Sequence, residues 1–361
     1  MKPSPSLANF IPALMLLAFA YNNPVQAAYD YNVQEVAPTV ASQYTMADIE
    51  AILNEQRTPY FVAYGMTATR QDNTIVPAAP LKVVQTDSSS CPCAAVYHNL
   101  ISSTQFATYL ACSTDLRVWS ERGQIHAQAS QPDIRILYDD SVLYADEDKS
   151  TGSSRIDVRY YCAIGTMRGF DSLVQNPGRA PTKEKLLPHI NTVSKADGTP
   201  EFGRIDYSGS IAASKIEITH HYFNFGIRDI EAVDTFTNFS SGSDTTDNTT
   251  NNLVTNAGGN GKIGDREVFK VGSAVYEVVE AQVNPTGDGF GSWRLFLINK
   301  TTSQIVQLQP NLAGGALSLG NPTVTILKVF GTDALVFTCY VFGENNFATQ
   351  IGGHMFVYLL Q

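Results

Sequence analysis

The last hundred residues constrain the fold most. Between positions 262 and 361, short apolar runs at 268–271, 275–283, 293–298, 305–308, 324–330, 334–342 and 355–360 are separated by turn signals such as Asn284-Pro-Thr-Gly and Gly331-Thr-Asp. Apolar runs of this length bounded by turn residues read as strands. Seven of them in a row predict an antiparallel β-sandwich or jelly roll. Residues 335–342 are apolar on both faces, so that strand belongs at the centre of a sheet covered on both sides.

Upstream the pattern is less regular. Thr45 and Asp48 form an approximate capping box, Met46, Ile49 and Leu53 recur at helical spacing, and Pro59 prevents continuation, which predicts a helix over 45–56. Residues 59–70 read as a strand. Residues 94–112 fit one or two short helices, with β-structure as the alternative. Residues 134–138 and 142–144 flank Asp139-Asp140-Ser141 as in a hairpin, and 156–164 and 214–225 read as strands. Residues 176–200 carry Pro and Gly with little pattern and read as a long loop. Residues 240–261 contain only two large apolar side chains, and so small an apolar content cannot offset the entropy of ordering the segment. The expected organisation is a signal peptide (1–27), an extended arm and short helix (28–57), a mixed, mainly β domain (58–239), a polar linker or mobile loop (240–261) and a β-sandwich (262–361). The fold class is mainly β with minor α: an irregular disulfide-bonded N-terminal domain followed by the sandwich or jelly-roll-like domain.

The N-terminus addresses the compartment. Lys2, the apolar run 7–20 and the Val-Gln-Ala ending at Ala27 have the layout of a secretory signal peptide. Fourteen apolar residues are too few to span a bilayer. No later stretch reads as a transmembrane helix, so the expected location is secreted, cell-surface or periplasmic. Cys91, Cys93, Cys112 and Cys162 fall within 72 residues and predict two disulfides of open connectivity, while Cys339 sits in an apolar run as a buried thiol. Cys-x-Cys with two distant single cysteines lacks the paired spacing of a zinc site.

Composition then removes function classes. Of 361 residues, 24 are Lys or Arg and 34 Asp or Glu, a net charge of −10, with only 16% charged and 43% apolar. The apolar content excludes a disordered chain. The absence of Lys/Arg clusters excludes a general nucleic-acid binder. The formal G-x-G-x-x-G at Gly259, Gly261 and Gly264 follows a polar segment rather than a strand, and so reads as a turn. A calcium loop laid on 256–267 would have Glu267 at its twelfth position but no carboxylate at its first, third or fifth. Asp139, Asp140, Asp146, Glu147 and Asp148 form a dense acidic group that reads as solvated hairpin acids. His220 and His221 alternate in a strand, point to opposite faces and cannot chelate one metal together. Asn238, Asn248 and Asn299 match the glycosylation sequon.

No metal or cofactor signature is present, and no catalytic motif assigns a reaction. Three function classes remain. Low charge suits subunit packing, since interface cores are depleted in charge. The leading expectation is therefore a non-enzymatic structural subunit of an envelope, surface or filament-type assembly that self-associates through protein contacts. The alternatives are a secreted glycan- or surface-binding module, and a carboxylate-dependent hydrolase using, for instance, Glu217 or Glu231 with Asp234.

Overall fold

The computed structural model describes residues 44–78, 81–102, 105–137, 140–150, 155–187, 200–208, 215–222, 229–237, 239–240, 242–283, 290–311, 318–341 and 352–360. The expected signal peptide, the arm upstream of residue 44, Asp139 and Asn238 lie outside them.

Helix α1 (Met46–Leu53) starts where Thr45 and Asp48 cap one another: the Asp48 N–H donates to Thr45 Oγ1 at 3.3 Å and the Thr45 N–H to Asp48 Oδ2 at 2.9 Å. Strand β1 (Phe61–Tyr64) and the hairpin β2 (Thr67–Thr69) and β3 (Ile75–Pro77) follow. The chain then builds five sheets, antiparallel except for one pair. The first contains β4 (Lys82–Gln85), β5 (Cys93–Leu100), β6 (Phe106–Ser113) and β7 (Trp119–Ala127), extended outward by β2, which runs parallel to β7, and by β3. The second contains β8 (Asp133–Ile136), β9 (Val142–Asp148), β10 (Arg155–Tyr161) and, after helix α2 (Gly169–Gln175), β11 (Lys183–Leu187). The third contains β12 (Pro200–Ser208), β13 (Lys215–Tyr222), β14 (Ile230–Thr237) and β15 (Gly242–Thr246). Helix α3 (Thr249–Asn256) leads into the fourth, β16 (Ile263–Val271), β17 (Ala274–Gln282), β18 (Trp293–Asn299) and β19 (Gln304–Gln307). The fifth has β20 (Leu319–Val329), β21 (Thr332–Val341) and β22 (Gly352–Leu359), and its fourth strand is β1, paired antiparallel with β22 through Phe61↔Val357.

The first strand of each sheet touches the first strand of the next: β4 meets β8, β8 meets β12, β12 meets β16, β16 meets β20, and β20 returns to β4. Five sheets around a closed ring, each a meander running outward from the axis, make a five-bladed β-propeller. The seams between blades hold the apolar cores. Leu110, Val142, Tyr144 and Phe170 fill the seam of blades one and two, and Leu143, Val158, Ile218 and Phe236 that of blades two and three. Helix α1 lays Ile49, Ile52 and Leu53 against Phe269, Val278, Leu335 and Phe337, sealing blades four and five.

This architecture corrects the sandwich or jelly roll. The seven runs after residue 262 are seven strands, four forming blade four and three of the four in blade five; the eighth strand is β1, from the other end of the chain. The expected irregular N-terminal domain is three further blades of the same ring. The expected helices of 94–112 are instead β5 and β6, paired antiparallel. The segment expected as a linker contains β15 and α3, ordered by polar rather than apolar contacts. Asn251 Nδ2 donates to the carbonyls of Asp229 and Gly261, and its N–H donates to Glu231. Among the described residues no helix is long and apolar enough to cross a membrane.

One disulfide forms, Cys91–Cys112, with Cα atoms 5.0 Å apart. Cys93 is buried two residues on, in register with Ser113 rather than with Cys112, and Cys162 is one blade away with its Sγ 3.2 Å from Thr182 Oγ1. The second expected bridge is therefore absent because its two thiols belong to different blades. Cys339 is a buried thiol on β21.

Candidate active site on the propeller axis

The inner strands begin at one end of the channel, and three of them begin irregularly. Pairing slips between Phe202 and Arg204 on β12, between Ile263 and Arg266 on β16 and between Gly320 and Thr323 on β20. Such bulges re-aim side chains next to sites. On β16 the bulge comprises Gly264 and Asp265.

The side chains gathered at this end are charged, and all of them but the half-buried Arg135 are buried. Lys82 opens β4, Asp133 opens β8, and Arg135 follows two residues on; Asp265 and Glu267 come from β16. Lys82 Nζ lies 3.4 Å from Asp133 Oδ1 and 3.3 Å from Glu267 Oε2. Arg135 repeats the bridge, with Nη1 2.8 Å from Asp133 Oδ1 and Nη2 3.0 Å from Glu267 Oε1. Two cations thus tie together carboxylates from the non-adjacent blades two and four. Burying one such charge without its partner would cost several kcal/mol, so the four groups form one unit.

Asp265 differs from them. Burial pushes its carboxyl up to about 7, the nearby Glu267 and Asp133 charges add to the rise, and Lys82 and a 2.8 Å hydrogen bond from the Arg266 N–H oppose it. Three acidic groups at one site are therefore divided into an ion-paired pair and one carboxyl that keeps its proton near neutral pH. The rim is polar and half-buried: Asn321 Nδ2 donates to Gln131 Oε1 at 3.3 Å, linking the starts of blades five and two. Among the described residues no group of His, Cys, Asp and Glu is arranged to hold a metal ion.

The sequence-derived candidates fall elsewhere. Glu217 and Asp234 lie on the second and third strands of blade three, Asp234 held 2.8 Å from His220 Nε2. Glu231 pairs with the buried Arg266, which Glu277 also approaches, a contact between blades three and four. His221 points to the other face from His220 and burial lowers it to about 4. Within the acidic group, Asp146, Glu147 and Asp148 are buried in β9 rather than solvated, and burial lifts Asp146 to about 6. Asp140 pairs with Arg168 at the turn before β9. Asn248 accepts from the Glu231 N–H, and Asn299 is buried and accepts from the N–H groups of Thr301 and Thr302, so both sequon side chains brace turns. Lys82, Asp133, Arg135 and Asp265 carried no motif. Their one local signal is a charged residue at the opening of an apolar run, as in Lys82-Val-Val and Asp133-Ile-Arg-Ile.

No protein-family model and no curated protein sequence matches the chain. Solved structures do match. A structure of BT0996 in an RGII complex aligns with a TM-score of 0.53 at 11% identity, covering 87% of this protein and 95% of that one. The exo-1,5-alpha-L-arabinanase from a bovine ruminal metagenomic library gives 0.44 at 10%, covering 78% and 93%, and a putative exo-beta-1,3-galactanase from Bifidobacterium bifidum s17 gives 0.46 at 9%, covering 82% and 92%. The ring of blades and the likeness to the BT0996 structure overturn the expected sandwich-built subunit: the chain is a five-bladed propeller, and what it shares with that structure is the fold.

Proposed function

We propose that the protein hydrolyses glycosidic bonds at the axial mouth, with Asp265 as the general acid and Asp133 as the base. The observation that carries this reading is the division of roles among the buried carboxyls: Asp265 holds a proton up to about 7 while Asp133 sits in ion pairs with Lys82 and Arg135. Glycoside hydrolysis needs two carboxyl groups in opposite protonation states on either side of one bond, and environments that push two acids apart are how proteins supply them. Asp265 gives its proton to the leaving-group oxygen as the carbon–oxygen bond breaks. Asp133, reaching the axis from a different blade, takes a proton from the attacking water. Lys82, Arg135 and Glu267 hold Asp133 in place.

The test is release of reducing sugar from a panel of polysaccharides and aryl glycosides by the purified protein. Asp265→Asn and Asp133→Asn, each with unchanged circular dichroism, are expected to lower turnover by about 10²–10⁴-fold, the usual worth of a positioned acid or base. Full activity in Asp265→Asn, or no cleavage of any glycan by correctly folded protein, would overturn the assignment.

A further inference from the structure

Glu280 is a buried carboxylate that neither the axial ion pairs nor the blade core explains. It lies on β17 between Val279, which pairs with Arg266, and Ala281, which pairs with Ile263. It is thus the single residue opposed by the two bulge residues Gly264 and Asp265. Its Oε1 accepts the Asp265 N–H at 3.0 Å and its Oε2 accepts the Asn321 N–H at 2.5 Å. Asn321 belongs to the bulge at the start of β20, and its φ of 48° is one that few residues other than Gly, Asn and Asp adopt. A bulge takes backbone amides out of the ladder, and buried amides left without acceptors are costly. One carboxylate here serves an amide from each of two bulges in two blades, through charge-assisted bonds of the stronger kind.

Gly264 makes this seat possible. A Cβ at position 264 would lie 1.9 Å from Glu280 Oε1 and 2.6 Å from its Cγ and Cδ, so only glycine leaves the carboxylate its place. Resting on the glycosidase reading above, we propose that Glu280, seated against Gly264, is the positioning residue that aims Asp265 at the axial mouth and couples that aim to the Asn321 rim. Glu280 has no role at the reacting atoms. It acts through the backbone of Asp265, whose direction out of the bulge it sets.

The test uses two variants. Glu280→Gln keeps size and burial but puts an NH₂ group against one of the two amides. Gly264→Ala keeps the charge and displaces the carboxylate. The first readout is the carboxyl titration of Asp265 by carbon NMR, together with hydrogen exchange of the Asp265 and Asn321 amides; neither requires activity. In both variants Asp265 is expected to titrate closer to the ordinary carboxylate range, and at least one of the two amides to exchange about tenfold faster, the effect of losing one ordinary hydrogen bond. The second readout is kinetic. Turnover is expected to fall by about 100-fold, the cost of misplacing a reacting group by about 1 Å, with KM little changed and the limb of the pH profile due to Asp265 displaced. An unchanged Asp265 titration with unchanged amide exchange in either folded variant overturns the proposal. If the titration and exchange move but the wild-type protein cleaves no glycan, the positioning role stands and the glycosidase reading fails. If one variant does not fold, the other decides.

Discussion

Replacing Asp265 by Asn should make the protein more stable at alkaline pH, by a margin that grows between pH 4 and pH 7. The Asp265 carboxyl ionises at about 7 in the folded chain against an ordinary value of 3.8. A raised folded value means that the stabilising contribution is fully present below the unfolded value and is lost as pH rises through the folded one. Between pH 4 and pH 7 this single group should therefore weaken folding by about 1.4 kcal/mol per pH unit, about 4 kcal/mol in all. Asp146, lifted to about 6 by burial while the Gln131 N–H and the Tyr144 hydroxyl donate to it, works in the same direction with about 3 kcal/mol between pH 4 and 6. The carboxyls held below their ordinary range, such as Asp48, Asp115 and Asp148, have the opposite sign but act below pH 4, outside this window. Asn keeps an acceptor for the Arg266 N–H and has no proton to lose. Urea denaturation at pH 5, 6, 7 and 8 measures both proteins. Relative to acid pH, the expected result is an advantage for Asp265→Asn of about 1.5 kcal/mol at pH 5 that grows to about 4 kcal/mol at pH 8. Burial lowers His98 and His221 to about 4, so these two add stability as pH rises to about 6.5 and oppose Asp265 and Asp146 in both proteins; the comparison of the two proteins is therefore decisive, and identical slopes would refute the burial argument.

Four more outcomes follow from the same geometry. Lys82→Met removes one of the two cations bridging Asp133 and Glu267 and should cost about 3–5 kcal/mol in chemical denaturation, the usual result of breaking a buried pair. Leu53→Ala opens a cavity where α1 seals blades four and five, which should cost about 2–5 kcal/mol and lower Tm in calorimetry. Removing the Cys91–Cys112 bridge, with a sequence separation of 21, should cost about 3 kcal/mol in the same denaturation assay. In the native state Cys93 should resist thiol reagents, because burial pushes its thiol up to about 12 and leaves almost no thiolate.

Local features are readable without the fold. The Thr45–Asp48 cap and the apolar spacing of Ile49 and Leu53 describe α1 directly, because capping and helical periodicity act within a few residues. The seven late runs match β16 to β22, since a strand with an apolar face writes itself in short blocks. Misreadings arise where ordering comes from afar. Asp146 and Asp148 look like solvated hairpin acids by composition, yet β9 buries both: His126 of blade one faces Asp146, and Arg155 on the neighbouring strand β10 pairs with Asp148. The segment 240–261 lacks apolar side chains, and its order comes instead from Glu231, Asp229 and Gln282 on neighbouring elements.

Local pattern alone describes a chain of short strands with one capped helix ahead of them. Sandwich and propeller share that local pattern, because both are built from hairpins with one face buried. The choice between them rests on where the first strand goes, and β1 pairs with β22 across nearly three hundred residues, with no local trace beyond an apolar FVAY. The site depends on the same closure. Lys82, Asp133 and Glu267 are far apart along the sequence and meet only when the ring brings the starts of their strands to one end of the axis. The proton held by Asp265 is likewise a property of the burial that the closed ring creates.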